Sequence, residues 1–314
     1  MSFALNEGYL NLICYKTIDC VQGSVRAVRY NVDGIYCLTC GSDRKIKLWN
    51  PKTALLLKTY GGHASEVTDA MGSCDSCHIV SASLDKSIIY WDVTTGQPIR
   101  RCRVHAGGVN CVRFNEDSSI AVSGSKDNSV MCWDIRTRKI EPIQTMKDAK
   151  DCVTSLIVNE SQIITASLDG CIRRYDIRMG EIVCDDIGIP ITYIVETKDG
   201  QCIIAGCLDG RVRLVDNETG NVIQEYVGRK NDDYHIECEK MSNDKHVISG
   251  SSEGLIYVWD LLSGKILQHL KANNNTTNSV IHSLTTHPLL NEVIFAKGRE
   301  IHICGSSEEQ SFLE

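Results

Sequence analysis

No apolar stretch in these 314 residues approaches the length that a membrane-spanning helix needs. The first thirty residues lack a basic segment followed by a long apolar run, so no secretory signal is read and a reducing compartment is expected. Excess basic charge is missing too: 33 Lys and Arg against 40 Asp and Glu give a formal net charge of −7. That excludes nucleic-acid binding by overall charge, and no direct nucleic-acid contact is expected. Arg100, Arg101 and Arg103, with Arg136, Arg138 and Lys139, could form at most a local patch. No phosphate loop, paired carboxylates or metal-binding histidine cluster is recognisable, so neither enzyme activity, cofactor nor metal is expected. Low complexity is confined to the Asn-rich residues 273–278 and the acidic residues 305–314. Cysteine is plentiful, at sixteen, but its copies fall on strand positions and are expected to be small buried hydrophobes, not a disulfide framework. Tryptophan is scarce, at four, and its placement organises the chain.

All four tryptophans stand at one position of a repeat reading SDRKIKLWN, LDKSIIYWD, KDNSVMCWD, LDGCIRRYD, LDGRVRLVD and SEGLIYVWD. The positions are Trp49, Trp91, Trp133, Tyr175, Val215 and Trp259, at spacings of 42, 42, 42, 40 and 44. Each is preceded by a turn acid: Asp43, Asp85, Asp127, Asp169, Asp209 and Glu253. Alternating apolar stretches such as VNCVRFNEDSSIAVSG supply two strands before each turn, and a further strand such as LLLKTY follows each Trp position. A degenerate seventh copy, residues 298–305, aligns Cys304 with the Trp position and Gly298 with the turn acid. The segment around Tyr15 and Ile18 matches a fourth strand that lacks three of its own, with the apolar side chains of Ile13 and Ile18 expected to cover their neighbours in the seventh blade. Pairing it with the seventh copy closes the ring and removes two open edges. The expectation is therefore all-β: one seven-bladed WD-repeat β-propeller over residues 13–304, with a leader (1–12) and an acidic tail (305–314).

Two copies carry a Ser-His-Asp set. His63, Ser81, Asp85 and Trp91, and His105, Ser123, Asp127 and Trp133, recur with the repeat, and Trp stands where a hydrolase would seat substrate. They read as structural hydrogen-bonded tetrads that make blades two and three the stiffest. Cys74-Asp75-Ser76-Cys77-His78 matches a haem-attachment spacing but reads as chance in a Cys-rich turn. Arg174 interrupts an apolar alternation and would either snorkel to a blade edge or enter a buried ion pair.

Partners of such rings bind the face carrying the loops into the first strand and between the second and third. Residues expected there are Arg26, Glu66, Thr68, Asn110, Thr154, Thr192, Tyr234 and His282 at the strand entries. Ser42, Leu84, Lys126, Leu168, Leu208 and Ser252 join them ahead of the turn acids. Leu84, Leu168 and Leu208 are apolar at equivalent turns expected to be exposed, which suits a partner-binding surface.

The run VQGSVRAVRYNVDGIYCLTCGSDRKIKLWNP (residues 21–51) resembles the start of the mitogen-activated protein kinase organizer family of WD-repeat scaffolds. RRYDIRMG (173–180), PIT followed by DGQC (190–202) and SLTTHP (283–288) agree as well. Departures are the leader, the Asn-rich loop and Cys304, where the relative carries Trp. The resemblance implies a scaffold for the extracellular-signal-regulated kinase cascade that also associates with the spliceosome, in cytoplasm and nucleus. Its partners would be kinase-cascade proteins and splicing factors, with the chain a monomer inside larger complexes. An alternative comes from Asp134-x-Arg136 and Asp176-x-Arg178 in consecutive blades. They resemble the double motif by which WD-repeat substrate receptors dock on a cullin–RING ubiquitin ligase adaptor; an ion pair within each blade is the other reading.

Overall fold

A computed structural model describes residues 11–231, 233–271 and 279–306; most of the expected leader, the Asn-rich loop and most of the acidic tail lie outside them. Seven four-stranded antiparallel sheets account for all 28 strands of the described residues. Six sheets use consecutive strands, in residues 25–61, 67–102, 109–146, 153–186, 191–226 and 238–271. The seventh joins Ile281–Thr286, Glu292–Lys297 and Glu300–Ser306 to the N-terminal strand Leu12–Asp19. First strands of successive blades touch in an unbroken cycle, the seventh meeting the first. The ring is closed as expected, although the closing strand starts at Leu12 and its partner runs on to Ser306.

Burial falls from the channel outward. Second strands such as CLTCG (Cys37–Gly41) are buried on both faces, sandwiched between neighbouring blades, and so use small and β-branched residues. Outer strands such as LLLKTYG (Leu55–Gly61) are mostly exposed. The cores lie between blades: Tyr60 and Trp91 pack with Ala27, Leu38 and Ile79 from blades one and two. Turns between second and third strands need a left-handed residue after the turn acid. Gly170, Gly210 and Gly254 supply it in three blades, while Arg44, Lys86 and Asn128 adopt it at φ 66°, 70° and 65°. An L-residue there costs about 1 kcal/mol. Gly298 (φ 62°) takes this left-handed place in blade seven, not the acid's place expected for it, because that turn has only two residues between Lys297 and Glu300.

Two further expectations are corrected. Ile13 was expected to cover the seventh blade with Ile18, yet it is exposed, while Leu12 and Ile18 are buried. Side chains alternate along a strand, so residues five apart face opposite ways. The cysteines are not all free: Cys14 stands directly opposite Cys304 in the closing pair, Cα atoms 4.0 Å apart, and the two form a disulfide. The aligned Trp position of blade seven is thus filled by a covalent bond. The other cysteines described are thiols.

The closing strand is also held from blade six, where Gln268 accepts the Leu12 N–H at 3.0 Å and donates to the Leu12 carbonyl at 2.8 Å. Deleting residues 1–20 would expose the Glu300–Ser306 edge and is expected to cause aggregation and a fall in melting temperature. Deleting residues 1–8 should be nearly neutral. Thermal melts with light scattering compare them, and equal stability of the two truncations would contradict closure by this strand.

Candidate partner-binding site

The tetrads form as expected. His63 Nδ1 lies 3.0 Å from Asp85 and Nε2 lies 2.7 Å from Ser81 Oγ, which accepts the Trp91 indole N–H at 2.8 Å. In blade three His105 makes the same contacts at 3.0 and 2.8 Å, and Trp133 donates to Ser123 at 2.9 Å. A carboxylate only accepts, so each Nδ1 carries hydrogen toward its aspartate. Burial by itself would raise Asp85 and Asp127. Hydrogen bonds from His63, Ser87 and the Ala64 N–H override this for Asp85, as do Ser129, His105 and the Ala106 N–H for Asp127; both carboxyls sit well below the ordinary range.

Four of the other blades substitute for the missing histidine. In blade one, Gln22 accepts from Thr39, reaches Asp43 at 3.5 Å, and Thr39 accepts the Trp49 indole N–H at 2.9 Å. Blades four and five use arginine from the third strand, Arg173 on Asp169 and Arg213 on Asp209, each at 2.6 Å. In blade six the buried Arg229 donates to Ser249 at 2.7 Å. The turn acid or the second-strand hydroxyl is therefore tied by a side chain in blades one, four, five and six as well, although the full tetrad is confined to blades two and three among these six. Arg174 enters a buried ion pair with Asp185 at 2.6 Å, the second of its two readings.

One mouth of the channel opens into a cavity of about 560 Å³, and every residue nominated for the binding face lines it except Ser42 and Ser252. Ser42 Oγ turns back to accept the Ser24 N–H, and Ser252 is buried. The backbone explains the convergence: Leu84, Leu168 and Leu208 N–H groups bond the strand-entry carbonyls of Glu66, Cys152 and Pro190 at 3.0 Å, as Lys126 bonds Gly108 at 2.9 Å. The three leucines are half-buried, less open than expected.

Four nominated residues are committed elsewhere. Thr68, Asn110, Thr154 and Thr192 donate to the carbonyls of Val109, Val153, Ile191 and Ile236 in the next blade, at 2.6–2.9 Å. Arg26 pairs with Glu66 at 3.0 Å across blades one and two, and His282 Nδ1 donates to the His235 carbonyl at 3.3 Å across blades six and seven. These residues clasp neighbouring blades, leaving Leu84, Lys126, Leu168, Leu208 and Tyr234 as the outward-facing part of the nominated set.

Beneath the mouth lies a charged network absent from the expected sites. Arg29 pairs with Asp69 at 3.0 Å and Glu237 at 2.6 Å; Arg113 pairs with Asp69 and donates to the Tyr193 hydroxyl at 2.9 Å. Glu237 also accepts from Ser283 at 2.6 Å and the Leu284 N–H at 3.1 Å. The network thus draws on six blades. Although burial opposes ionisation of Asp69, Arg113 and Arg29 hold its carboxyl below the usual range. Removing one partner of such a buried pair costs about 3–5 kcal/mol, so the centre of the ring is rigid. The signal was legible in VRAVRY and VNCVRF, where Arg29 and Arg113 fall at the inner-strand position of Ile157 and Val195, and in VTDAMG, where Asp69 stands in register with Ala27 and Cys111.

On the opposite face, Asp134 accepts from Arg136, whose side chain is 71% exposed, at 3.3 Å. Asp176 accepts the backbone N–H groups of Arg178 and Met179 at 2.8 Å, and Arg178 is exposed. The intrablade ion pair is therefore present in blade three; in blade four the aspartate caps the turn through backbone. Of the possible basic patch, Arg100 is spent on the carbonyls of Asp134, Ile135, Thr137 and Lys139, and Arg101 on that of Gly62. Among the described residues, no group of three His, Cys, Asp or Glu is placed to hold a metal ion.

Closed blades, tetrads and the blade-to-blade clasp define a WD-repeat β-propeller. The family model of the WD domain, G-beta repeat, matches residues 13–50, 55–92 and 96–134, the first two matches starting on the outer strand of the preceding blade and the third in the turn just before it. The chain is 58% identical over 273 residues to WD repeat domain-containing protein 83 of Rattus norvegicus, covering 87% of this chain and 85% of that one. The Homo sapiens protein of that name is 55% identical over the same coverage. A Dictyostelium discoideum homolog is 36% identical over 313 residues, covering 91% and 95%. The chain belongs to the WD repeat domain-containing protein 83 family.

The depressed carboxyls set an acid dependence. A folded pKa below the unfolded one contributes stability fully present above the ordinary carboxylate range, about pH 4, and lost as pH falls toward the folded value. Denaturant melts at pH 7, 4 and 2.5 should show the double variant Asp85→Asn, Asp127→Asn less stable at pH 7 but losing less on acidification. An unchanged acid-side loss would rule out this assignment.

Proposed function

We propose that this propeller is a non-catalytic assembly platform whose partners dock on the mouth bearing Leu84, Leu168 and Leu208. The observation that carries the reading is their placement: three apolar side chains at equivalent turns ring one cavity, while neighbouring polar side chains are consumed in holding the blades. A rigid ring presenting several weak contacts gains affinity through effective concentration, which suits a scaffold. From the resemblance to the mitogen-activated protein kinase organizer family, the partners are kinase-cascade components and splicing factors, met in cytoplasm and nucleus. Affinity purification with the variant Leu84→Asp, Leu168→Asp, Leu208→Asp, folded by circular dichroism, should lose most partners held by the native chain. Retention of all of them would place the docking face elsewhere.

A second reading, a substrate receptor of a cullin–RING ubiquitin ligase, is favoured by the exposure of Arg136 and Arg178 at equivalent turns of adjacent blades. It requires the ligase adaptor to co-purify with the native chain and to be lost on combined Arg136→Ala and Arg178→Ala substitution. A native complex without adaptor would eliminate it.

A further inference from the structure

The channel carries one more charge than its network balances. Arg29 and Arg113 meet Asp69 and Glu237, but Glu239, also on a first strand, has no such partner. Among the described residues it enters no ion pair, and its Oε1 accepts only the Lys240 backbone N–H, at 3.2 Å. The Lys240 side chain turns to Asp244 at 3.8 Å, and Lys198 Nζ donates to the Ser242 carbonyl. Burial raises the Glu239 carboxyl to about 7, opposed by the Lys240 N–H and by the charges of Lys240 and Arg29.

Glu239 borders a second cavity, of about 430 Å³, at the other end of the first strands. Met71, Phe114, Ile157 and Val195 give it apolar walls. Glu196, which accepts from Asn159 at 2.8 Å, adds a second carboxylate without an ion pair among the described residues. Arg113, Lys198 and Lys240 also line this cavity, but Arg113 is met by Asp69, the Lys240 ammonium lies 3.8 Å from Asp244, and Lys198 Nζ donates to the Ser242 carbonyl. The two half-buried carboxylates Glu196 and Glu239 do not offer the six or more oxygens that a hard metal cation takes. They do match a guanidinium, which is weakly hydrated, bonds carboxylates through two parallel N–H groups, and trails an apolar stem.

We propose that this second mouth binds an arginine side chain presented by a partner protein, its stem lying on Met71, Ile157 and Val195 and its guanidinium meeting Glu239. The site faces away from Leu84, Leu168 and Leu208, so it does not rest on the docking face proposed above, and either can fail alone.

The test uses the full chain carrying ¹³C-methyl methionine, with the Met71 signal assigned by Met71→Leu. The probes are the blocked tripeptide Gly-Arg-Gly and its neutral isostere Gly-citrulline-Gly. The arginine peptide should shift the Met71 methyl saturably, at least tenfold more tightly than the citrulline peptide. Its affinity should fall from pH 8 to pH 6 as a proton competes for Glu239, and should drop at least tenfold in Glu239→Gln. The Leu84, Leu168, Leu208 triple variant should bind like the native chain. Equal titration by both peptides, no Met71 shift, or undiminished binding by Glu239→Gln would overturn the proposal. Should Glu239→Gln not fold, the arginine–citrulline contrast and the pH dependence in the native chain decide it.

Discussion

The pairing of Leu12–Asp19 with Glu300–Ser306 is the constraint on which everything else depends, because each blade is stable only between two neighbours. An isolated four-stranded blade of this sequence would leave second strands such as Cys37–Gly41, buried on both faces, open to water. Stacking solves this for interior blades, and only circular closure solves it for the ends. The closing pair is reinforced in three ways: the Cys14–Cys304 bond, the Gln268 clasp from blade six, and Glu292, which accepts from both Tyr15 and Tyr30. The last ties the closing strand to blade one as well as blade seven.

Closure then fixes the channel. The Arg29–Asp69–Arg113–Glu237 network joins residues from separate blades and forms only when all of them stand in register around one axis. Its charges need each other, since burial alone opposes the ionisation of Asp69. The network lies between two cavities, with Tyr193 lining both, so the ring offers two mouths of different character. One is ringed by leucines on turns; the other sets the carboxylates of Glu196 and Glu239 and the cations of Arg113, Lys198 and Lys240 among apolar walls. Two mouths on opposite sides of one network are the arrangement that the two proposed docking sites require.

What the sequence disclosed follows from range. The turn acids, the Trp positions and the His–Ser–Asp–Trp sets recur inside one repeat, so their spacing alone placed the blades and the tetrads of His63 and His105. The convergence of Leu84, Leu168 and Leu208 was legible for the same reason, since equivalent positions in a ring share a face. Most side-chain interactions between repeats were not legible. Thr68 and Thr154 looked like free surface because their acceptors are carbonyls of the next blade. Gln22, Arg173 and Arg229 replace histidine from other positions, so the pattern of the tetrad hid them. Cys14 and Cys304 lie 290 residues apart, and only the register of the closing strands brings them together.

If closure is the governing constraint, opening blade seven should open the ring. Native-state hydrogen exchange across a denaturant series measures this directly, blade by blade. The most protected amides of Leu12–Asp19 and Glu300–Ser306 should converge on the same opening free energy as those of the second strands in blades two to five. Exchange of the closing pair at a much lower free energy, with the other blades still fully protected, would contradict the account.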